Sequence, residues 1–232
     1  MISTRKIYAL CEKQFKTIFY NLFILSGLVV VPIVAFFFGL NADYPEPALV
    51  DMLVTMNILM NGANIMCVMI AEEKEKNTLN VLIASTVSGL DFLISKLLVT
   101  VLFTLAINAA LFFIMDAHYF FDFGSYMLVT GIAILPPAAI GAVIGLLCKT
   151  QSAATTAITP FMMALLFVPM FVPADSAIHD FMQYVFSEQM TLGLRAIYNG
   201  EAFLAHIGFI AANFAVFFVI FWVFYRKKGL AG

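Results

Sequence analysis

Charged residues are scarce in this sequence of 232 residues. Lys and Arg number 12 and Asp and Glu 14, together 11% of the chain, whereas 63% of the residues are hydrophobic and 25 are Phe. An ordinary globular domain carries about 25% charged residues, so this balance excludes a water-soluble domain. The composition predicts a membrane protein.

Cysteine and histidine are also rare, with three residues of each. Cys11, Cys67 and Cys148 lack the spacing of metal ligands, so we expect reduced cysteines that serve packing. No phosphate-binding loop of the form G-x-x-x-x-G-K occurs. The segments outside the apolar runs reach only about 25 residues, too few to bury a core of their own. We therefore expect no metal site, no catalytic residue and no ATP site on this chain.

Six stretches between successive charged residues hold at least 19 uncharged residues each. About 20 apolar residues in a helix cross the hydrocarbon layer of a bilayer. The runs lack the two-residue alternation of a membrane barrel, so we predict helices. The sequence indicates an all-α polytopic membrane protein, with one transmembrane domain over residues 1–232. Its predicted spans are 21–40, 52–71, 97–115, 124–148, 152–173 and 202–225.

The basic residues indicate an orientation. Six spans place both termini on one side, and Arg195 is then the only one of the 12 basic residues on the other side. Because basic residues concentrate in cytoplasmic loops, we predict a multi-pass protein of the cell membrane with both termini in the cytoplasm. The net charge of −2 gives no indication of a nucleic-acid partner.

Two segments outside the spans have amphipathic patterns. Residues 1–19 place apolar and charged side chains on opposite faces, which predicts an interfacial elbow helix lying on membrane lipid before the first span. Residues 176–200 predict re-entrant outer helices at the opposite interface. These helices either cover a transport path or only anchor the sixth span, and the pattern favours neither role.

Two polar rows occur within the apolar spans. They are Asn57, Asn61 and Asn64 in the second predicted span, and Thr100, Thr104 and Asn108 in the third. Amide groups in hydrocarbon are unfavourable unless they are paired, so both rows are expected to face protein or a water-filled path. The rows either join the helices by hydrogen bonds or line a substrate path, with Asn57, Asn61, Asn64, Thr104 and Asn108 as the path candidates.

The fourth span carries Pro136 and Pro137 near its middle. Two prolines remove two backbone donors and clash with the preceding turn, so they predict a kink. Gly141 and Gly145 follow in the same span, four residues apart. This spacing allows another helix to approach closely.

The segment between the second and third spans reads "EKEKNTLNVLIASTVSGLDFLISK" from Glu73. With Asn77 as a helix cap, Leu79, Leu82 and Ile83 share one face, which predicts a short amphipathic helix over 77–87. Ser88 and Asp91 have the spacing of a capping box that starts the third span. The pattern alone fits a helix that rests on lipid headgroups and a helix that docks on a partner equally well.

This segment resembles the loop between spans two and three of ABC transporter permeases of the type-2 export class. Thr86 stands where that family usually has Pro, and Ser95 where it often has Gly. "MTLGLRAIYNGE" before the last span is similar to the outer segment of the family. The positions that match the family pattern are Glu73, Lys74, Glu75, Lys76, Thr78, Leu79, Leu82, Ile83, Ser85, Val87, Ser88 and Lys96.

The resemblance implies a mechanism. The short helix would be a coupling helix that inserts into a groove on a separate cytoplasmic ABC ATPase subunit, which carries the ATP and Mg. Two permeases, identical or homologous, would face each other above two ATPases. The residues that the resemblance implicates in coupling are Glu73, Thr78, Leu79, Leu82, Ile83, Ser85 and Val87.

The predicted function is that of a permease subunit of an ATP-driven ABC exporter. Small outer segments and Phe-rich spans favour an apolar or amphipathic substrate, such as a hydrophobic peptide or drug, over a polysaccharide or lipid. One alternative is a non-transporting membrane scaffold or immunity protein. Another is an intramembrane enzyme, which six charge-free spans argue against.

Overall fold

The computed structural model describes residues 4–41, 46–78, 89–172 and 175–227, and all regular secondary structure within these ranges is helical. The predicted all-α fold with six membrane-spanning helices is confirmed. The six helices that are long and apolar enough to cross a membrane are Leu22–Gly39, Pro47–Glu75, Gly89–Ile114, Phe123–Leu147, Gln151–Pro169 and Leu204–Lys227. We refer to them as the first to the sixth span.

A helix over Thr4–Tyr20 precedes the first span. Its buried side chains, Leu10, Gln14 and Ile18, recur every four residues and form one face. The ring of Phe15 packs at a tilt against that of Phe103 of the third span, with ring centroids 5.2 Å apart. The Cys11 thiol donates to the carbonyl oxygen of Ser95 at 3.6 Å, and burial raises its pKa. The N-terminal helix therefore packs along the third span.

Asn21 separates the N-terminal helix from the first span. Its side-chain oxygen accepts hydrogen bonds from the backbone N–H groups of Phe23 at 3.1 Å and Ile24 at 3.4 Å. These bonds satisfy donors that have no partner within the first turn of a helix. Asn21 thus ends one helix and caps the next. We call the end of the bundle where the N-terminal helix meets the second and third spans the inner end.

The second span lies at the centre of the bundle. Its apolar window is 83% buried, against 11% for the sixth span. The helix runs from Pro47 to Glu75, past both ends of the predicted span 52–71, so several charged residues belong to it. The fourth span packs closely against it, because a Cβ atom at Gly141 would lie 2.2 Å from the carbonyl oxygen of Ala63.

Two irregular points in the second and fourth spans lie side by side. The second span contains a π-helical turn over Ile58–Gly62. The fourth span consists of Phe123–Ala133 and Leu135–Leu147, with the break at Ile134 and Pro136 and Pro137 in the first turn of the second helix. A missing N–H matters little in a first turn. A Cβ at Gly62 would lie 3.5 Å from Ile134 Cγ2 and 3.6 Å from Pro137 Cγ, so the π turn contacts the break.

Two helices precede the sixth span at the opposite, outer end: Ala177–Met182 and Phe186–Asn199. The longer helix buries Phe186, Met190 and Leu194 on one face. It ends at Gly200, whose φ of 71° is a left-handed conformation that glycine adopts without strain. His206 Nδ1 lies 2.8 Å from Gln189 Oε1, which joins this helix to the sixth span. The longer outer helix is therefore a packed part of the bundle, whereas the shorter one buries only Met182.

The contact between the second and fourth spans generates a stability prediction. Gly141→Ala places a methyl group against the backbone of Ala63, which cannot rotate away, so we expect a loss of about 3 kcal/mol or more. The matched control is Gly208→Ala in the sixth span, where no atom lies within 4 Å of the added Cβ. The unfolding temperature in detergent should fall for Gly141→Ala and stay unchanged for Gly208→Ala. Equal unfolding temperatures for the two variants would contradict the close packing.

Candidate functional site

Four consecutive charged residues, Glu72 to Glu75, end the helix of the second span. Their side chains contact the N-terminal helix, the Asn21 cap, and the third, fourth and fifth spans. We call these four residues and their partners the inner junction. The partner residues are Lys13, Gln14, Asn21, Lys76, Lys96, Leu146, Cys148 and Gln151.

A buried ion pair forms the centre of the inner junction. Lys96 Nζ lies 2.9 Å from Glu73 Oε1, and the two side chains are 0% and 5% exposed. Lys96 also donates to the carbonyl oxygen of Met69 at 3.1 Å. The same Glu73 oxygen accepts from Gln14 at 3.1 Å and from Lys13 at 3.2 Å. Each buried charge therefore has an opposite charge and further hydrogen bonds, which such a pair requires, while Glu73 Oε2 is buried without a hydrogen-bond partner among the described residues.

Glu72 connects the second span to the first and fifth spans. Glu72 Oε2 accepts from Asn21 Nδ2 at 3.2 Å, and Glu72 Oε1 pairs with Lys76 at 2.5 Å. Asn21 Nδ2 also donates to Gln151 Oε1 at 2.6 Å. The side-chain nitrogen of Asn21 therefore bonds to the second and fifth spans, while its side-chain oxygen caps the first span.

Lys74 and Glu75 contact the loop between the fourth and fifth spans. Lys74 Nζ donates to the carbonyl oxygen of Leu146 at 2.6 Å and to that of Cys148. Glu75 Oε2 accepts from the backbone N–H of Gln151 at 3.0 Å, in the first turn of the fifth span. A cation near the C-terminal carbonyls of one helix and an anion at the N-terminus of the next both match the helix dipoles. The positive charge of Lys74 thus lies at the C-terminal end of the fourth span, and the negative charge of Glu75 lies at the N-terminal end of the fifth span.

The predicted coupling helix begins just beyond the inner junction. Asn77 has a φ of 54° and follows Lys76, the C-cap of the second-span helix, which ends at Glu75. Asn77 therefore terminates that helix in a left-handed conformation. The prediction that Asn77 also caps the following helix concerns residues outside the described ranges. Thr78 Oγ1 donates to the carbonyl oxygen of Glu73 at 3.2 Å. Five of the implicated coupling positions lie outside the described residues: Leu79, Leu82, Ile83, Ser85 and Val87.

Glu73, one of the implicated coupling positions, is buried inside the junction. Its contacts are with Lys96, Gln14 and Lys13 of this chain. A side chain in this position does not present a surface to another subunit. Glu73 instead holds Thr78, the last described residue before the proposed coupling segment, through its backbone carbonyl oxygen.

The two polar rows meet each other in the middle of the bundle. Asn57 Nδ2 donates to Asn108 Oδ1 at 2.6 Å and to the carbonyl oxygen of Thr104 at 3.1 Å. Asn61 Nδ2 donates to Asn57 Oδ1 at 2.7 Å. Tyr126 of the fourth span donates to the carbonyl oxygen of Asn108 at 3.0 Å. Asn57, Asn61, Thr104 and Asn108 are fully buried, so this network joins three helices.

Asn64 lies apart from this network. The π turn at Ile58–Gly62 contains an extra residue per turn, which rotates the positions after it away from the predicted common face. Asn64 lines a cavity of about 240 Å³ with Gly27 of the first span and Thr155 and Thr159 of the fifth. Its buried side-chain oxygen has no hydrogen-bond partner among the described residues. Of the five path candidates, Asn64 faces this cavity.

A second polar cavity at the outer end was missed from the sequence. It has a volume of about 290 Å³ and lies between the start of the second span, the fifth span and the outer helices. Asp51 is buried in its wall, although the sequence placed this residue outside the span. The sequence feature that indicates this position is Pro47, because proline is preferred at the first position of a helix. A helix that begins at Pro47 contains Asp51 one turn after its start.

The chain matches a known protein family. A family model described as "ABC-2 family transporter protein" matches residues 44–223, from just before the second span into the sixth. The matched region contains the residues of the inner junction from Glu72 to Gln151, the outer cavity and the outer helices, whereas the first-span residues that line the cavity at Asn64 lie outside it. No curated protein matches the chain.

The buried ion pair generates a second stability prediction. Glu73→Gln leaves the Lys96 ammonium buried without an opposite charge, which costs about 3 to 5 kcal/mol. The double variant Glu73→Leu with Lys96→Met removes both charges and should recover most of that loss. The control is Glu12→Gln, which breaks the exposed Lys16–Glu12 pair and should leave the unfolding temperature unchanged. The account is wrong if Glu73→Gln behaves like the control, or if the double variant unfolds below the single one.

Proposed function

This chain belongs to the ABC-2 transporter family, and from that premise we propose that it is the permease subunit of an ATP-driven exporter with a separate ATPase. Membership makes the chain a transmembrane transport component of an ABC transporter. The proposed ATPase is a cytoplasmic subunit that carries the ATP and Mg. The observation that carries the proposal is the inner junction.

The inner junction has the connections that energy coupling requires. The segment proposed to dock on the ATPase follows Thr78 directly. Glu72 to Glu75, just before it, are bonded to the N-terminal helix, the Asn21 cap, and the third, fourth and fifth spans. A displacement of the docked segment would therefore act on several helices at once, as in rigid-body switching.

The charge distribution supports the orientation of the proposed complex. With both termini in the cytoplasm of a cell-membrane protein, the inner junction and the coupling segment face the cytoplasm, where ATP is available. Arg195, the single basic residue on the other side, lies in the outer helix Phe186–Asn199. This arrangement follows the positive-inside rule.

The fifth span supports a second permease subunit. The exposed residues of its inner half are all small or carry a hydroxyl group: Ser152, Ala153, Thr156, Ala157 and Pro160. The first span instead exposes large apolar residues such as Phe36 and Phe37, which suit lipid. Small residues allow two membrane helices to approach closely. We infer that a second copy or a homologue packs on this face of the fifth span.

The proposed substrate path runs beside that face. The cavity with Asn64 lies between the first, second and fifth spans, next to the exposed residues of the fifth span. Its wall combines Phe23, Val30 and Met60 with the polar groups of Asn64 and Thr159. Such a mixed wall suits an apolar or amphipathic substrate, for example a hydrophobic peptide or drug. The buried oxygen of Asn64 would accept a hydrogen bond from it.

The test of the proposed function is the pair of substitutions Leu82→Asp with Ile83→Asp. Two carboxylates in an apolar groove cost several kcal/mol, and the lost aliphatic contacts cost about 3 to 5 kcal/mol. A micromolar complex is held by about 8 kcal/mol. The variant should insert normally and lose its ATPase during purification in mild detergent, and it should not support export.

The matched control is Asn80→Asp with Ala84→Asp. It adds the same two charges to the other face of the predicted helix, so it should retain the ATPase. Normal ATPase retention and export by Leu82→Asp with Ile83→Asp would show that this helix is not the coupling element. Loss of the ATPase from both variants would show that ATPase binding does not depend on which face of the predicted helix carries the two charges.

A further inference from the structure

The outer cavity combines polar side chains with an apolar floor. Its polar residues come from the second span and the outer helices: Asp51, Thr55, His179, Ser187, Glu188, Thr191 and Arg195. Its floor is formed by Met52, Leu165, Leu166 and Pro169. We call it the outer pocket. A wall of this composition contacts both ends of an amphipathic molecule.

Two buried groups in the outer pocket lack hydrogen-bond partners. The Asp51 side chain is 6% exposed, and its Oδ1 atom has no partner among the described residues. The Ser187 hydroxyl is buried and has no partner there either. A buried carboxylate without a hydrogen bond is strongly unfavourable, as is a buried hydroxyl to a smaller degree. Both groups line the outer pocket, so a bound donor would satisfy them.

Arg195 only partly compensates the charge of Asp51. Arg195 Nε lies 3.8 Å from Asp51 Oδ2, which is beyond hydrogen-bond distance, and the Arg195 side chain is 59% exposed at the rim. Glu188 adds a second carboxyl group to the wall. The carboxylates of Asp51 and Glu188 and the guanidinium of Arg195 together carry one negative charge.

We propose that the outer pocket binds the protonated amine of an amphipathic molecule. Asp51 is the counter-ion, the Ser187 hydroxyl accepts a hydrogen bond from the ammonium group, and Met52, Leu165 and Leu166 contact the apolar tail. The statement that this ligand is also the transported substrate rests on the proposed function. Binding of the ligand in the outer pocket does not depend on that function.

Other ligand classes fit the outer pocket less well. An anion would meet the carboxyl groups of Asp51 and Glu188, and a neutral molecule would leave Asp51 uncompensated. A metal ion needs several ligands, and the described part of the chain brings no three His, Cys, Asp or Glu residues together for one. The volume of about 290 Å³ lies at the small end of ligand pockets, so it suits an amine with a short part of its tail.

The test measures binding of three matched probes to the purified full-length permease in a neutral detergent. The probes are decylamine, decanol and decanoate, at a slightly alkaline pH at which the amine is still protonated. Titration calorimetry gives the Kd, and the shift of the unfolding temperature gives an independent readout. Decylamine should bind saturably, and decanol and decanoate should not.

Variants identify the groups that hold the amine. Asp51→Asn should weaken decylamine binding by about tenfold or more, because it removes a buried counter-ion. Ser187→Ala should weaken it by about threefold, as expected for one hydrogen bond. Arg195→Gln should tighten it by about threefold, because it removes a competing cation. Asp122→Asn, which changes an exposed outer carboxylate and keeps a good helix cap, is the control and should have no effect.

Three results would overturn the proposal: decylamine binding no stronger than decanol, Asp51→Asn binding like the wild type, or Arg195→Gln weakening the complex. If Asp51→Asn does not fold, Ser187→Ala and Arg195→Gln test the proposal. The first should weaken decylamine binding and the second should tighten it. The permease is measured without its ATPase, so a failure of the coupling proposal leaves this result intact. Absence of decylamine binding likewise leaves the coupling proposal intact.

Discussion

The buried contact between Lys96 and Glu73 is the constraint on which the inner half of the molecule depends. Neither charge is tolerated alone in the bundle, so the second and third spans must keep the register in which Lys96 Nζ meets Glu73 Oε1. Gln14 and Lys13 reach the same oxygen and hold the N-terminal helix there. These contacts therefore fix the position of the residues from which the proposed coupling segment continues after Thr78. This is why we assign the proposed coupling to the inner junction as a whole.

The second span connects the three polar regions of the molecule. The inner junction lies at one end, the outer pocket at Asp51 lies near the other, and the π turn at Ile58–Gly62 lies between them. The fourth span is broken beside that turn, at Ile134, whereas below the break the contact at Gly141 is tight. The second and fourth spans are thus irregular where the π turn meets the break at Ile134, and they pack closely between that point and the inner end. Bending at that level would change the outer half while the inner half stays intact.

The sequence predicted the fold class and the number of spans, because the minimum length of a membrane helix follows from the thickness of the hydrocarbon layer. It did not predict the helix bounds of the second span. Glu73 lies inside that helix because Lys96, distant in the sequence, approaches it, whereas Asp51 lies inside it because the helix begins at Pro47. The separation of Asn64 from Asn57 and Asn61 was also unpredictable, since a π turn has no sequence signature. The outer pocket is assembled from segments more than 100 residues apart, so no local pattern could indicate it.

The most direct test of the central claim measures two distances within one permease of the ATPase complex, by pulsed electron resonance. One pair of spin labels replaces Lys76 and Lys149, both exposed at the inner junction and outside the proposed permease–permease face. The other pair replaces Lys76 and Tyr198 and spans the two ends of the bundle. Dilution with unlabelled permease keeps one labelled copy in each complex. The account predicts that trapping the ATPase with ATP leaves the 76–149 distance unchanged and shifts the 76–198 distance. A change in the 76–149 distance as large as that between the ends would contradict an inner junction that moves as one unit.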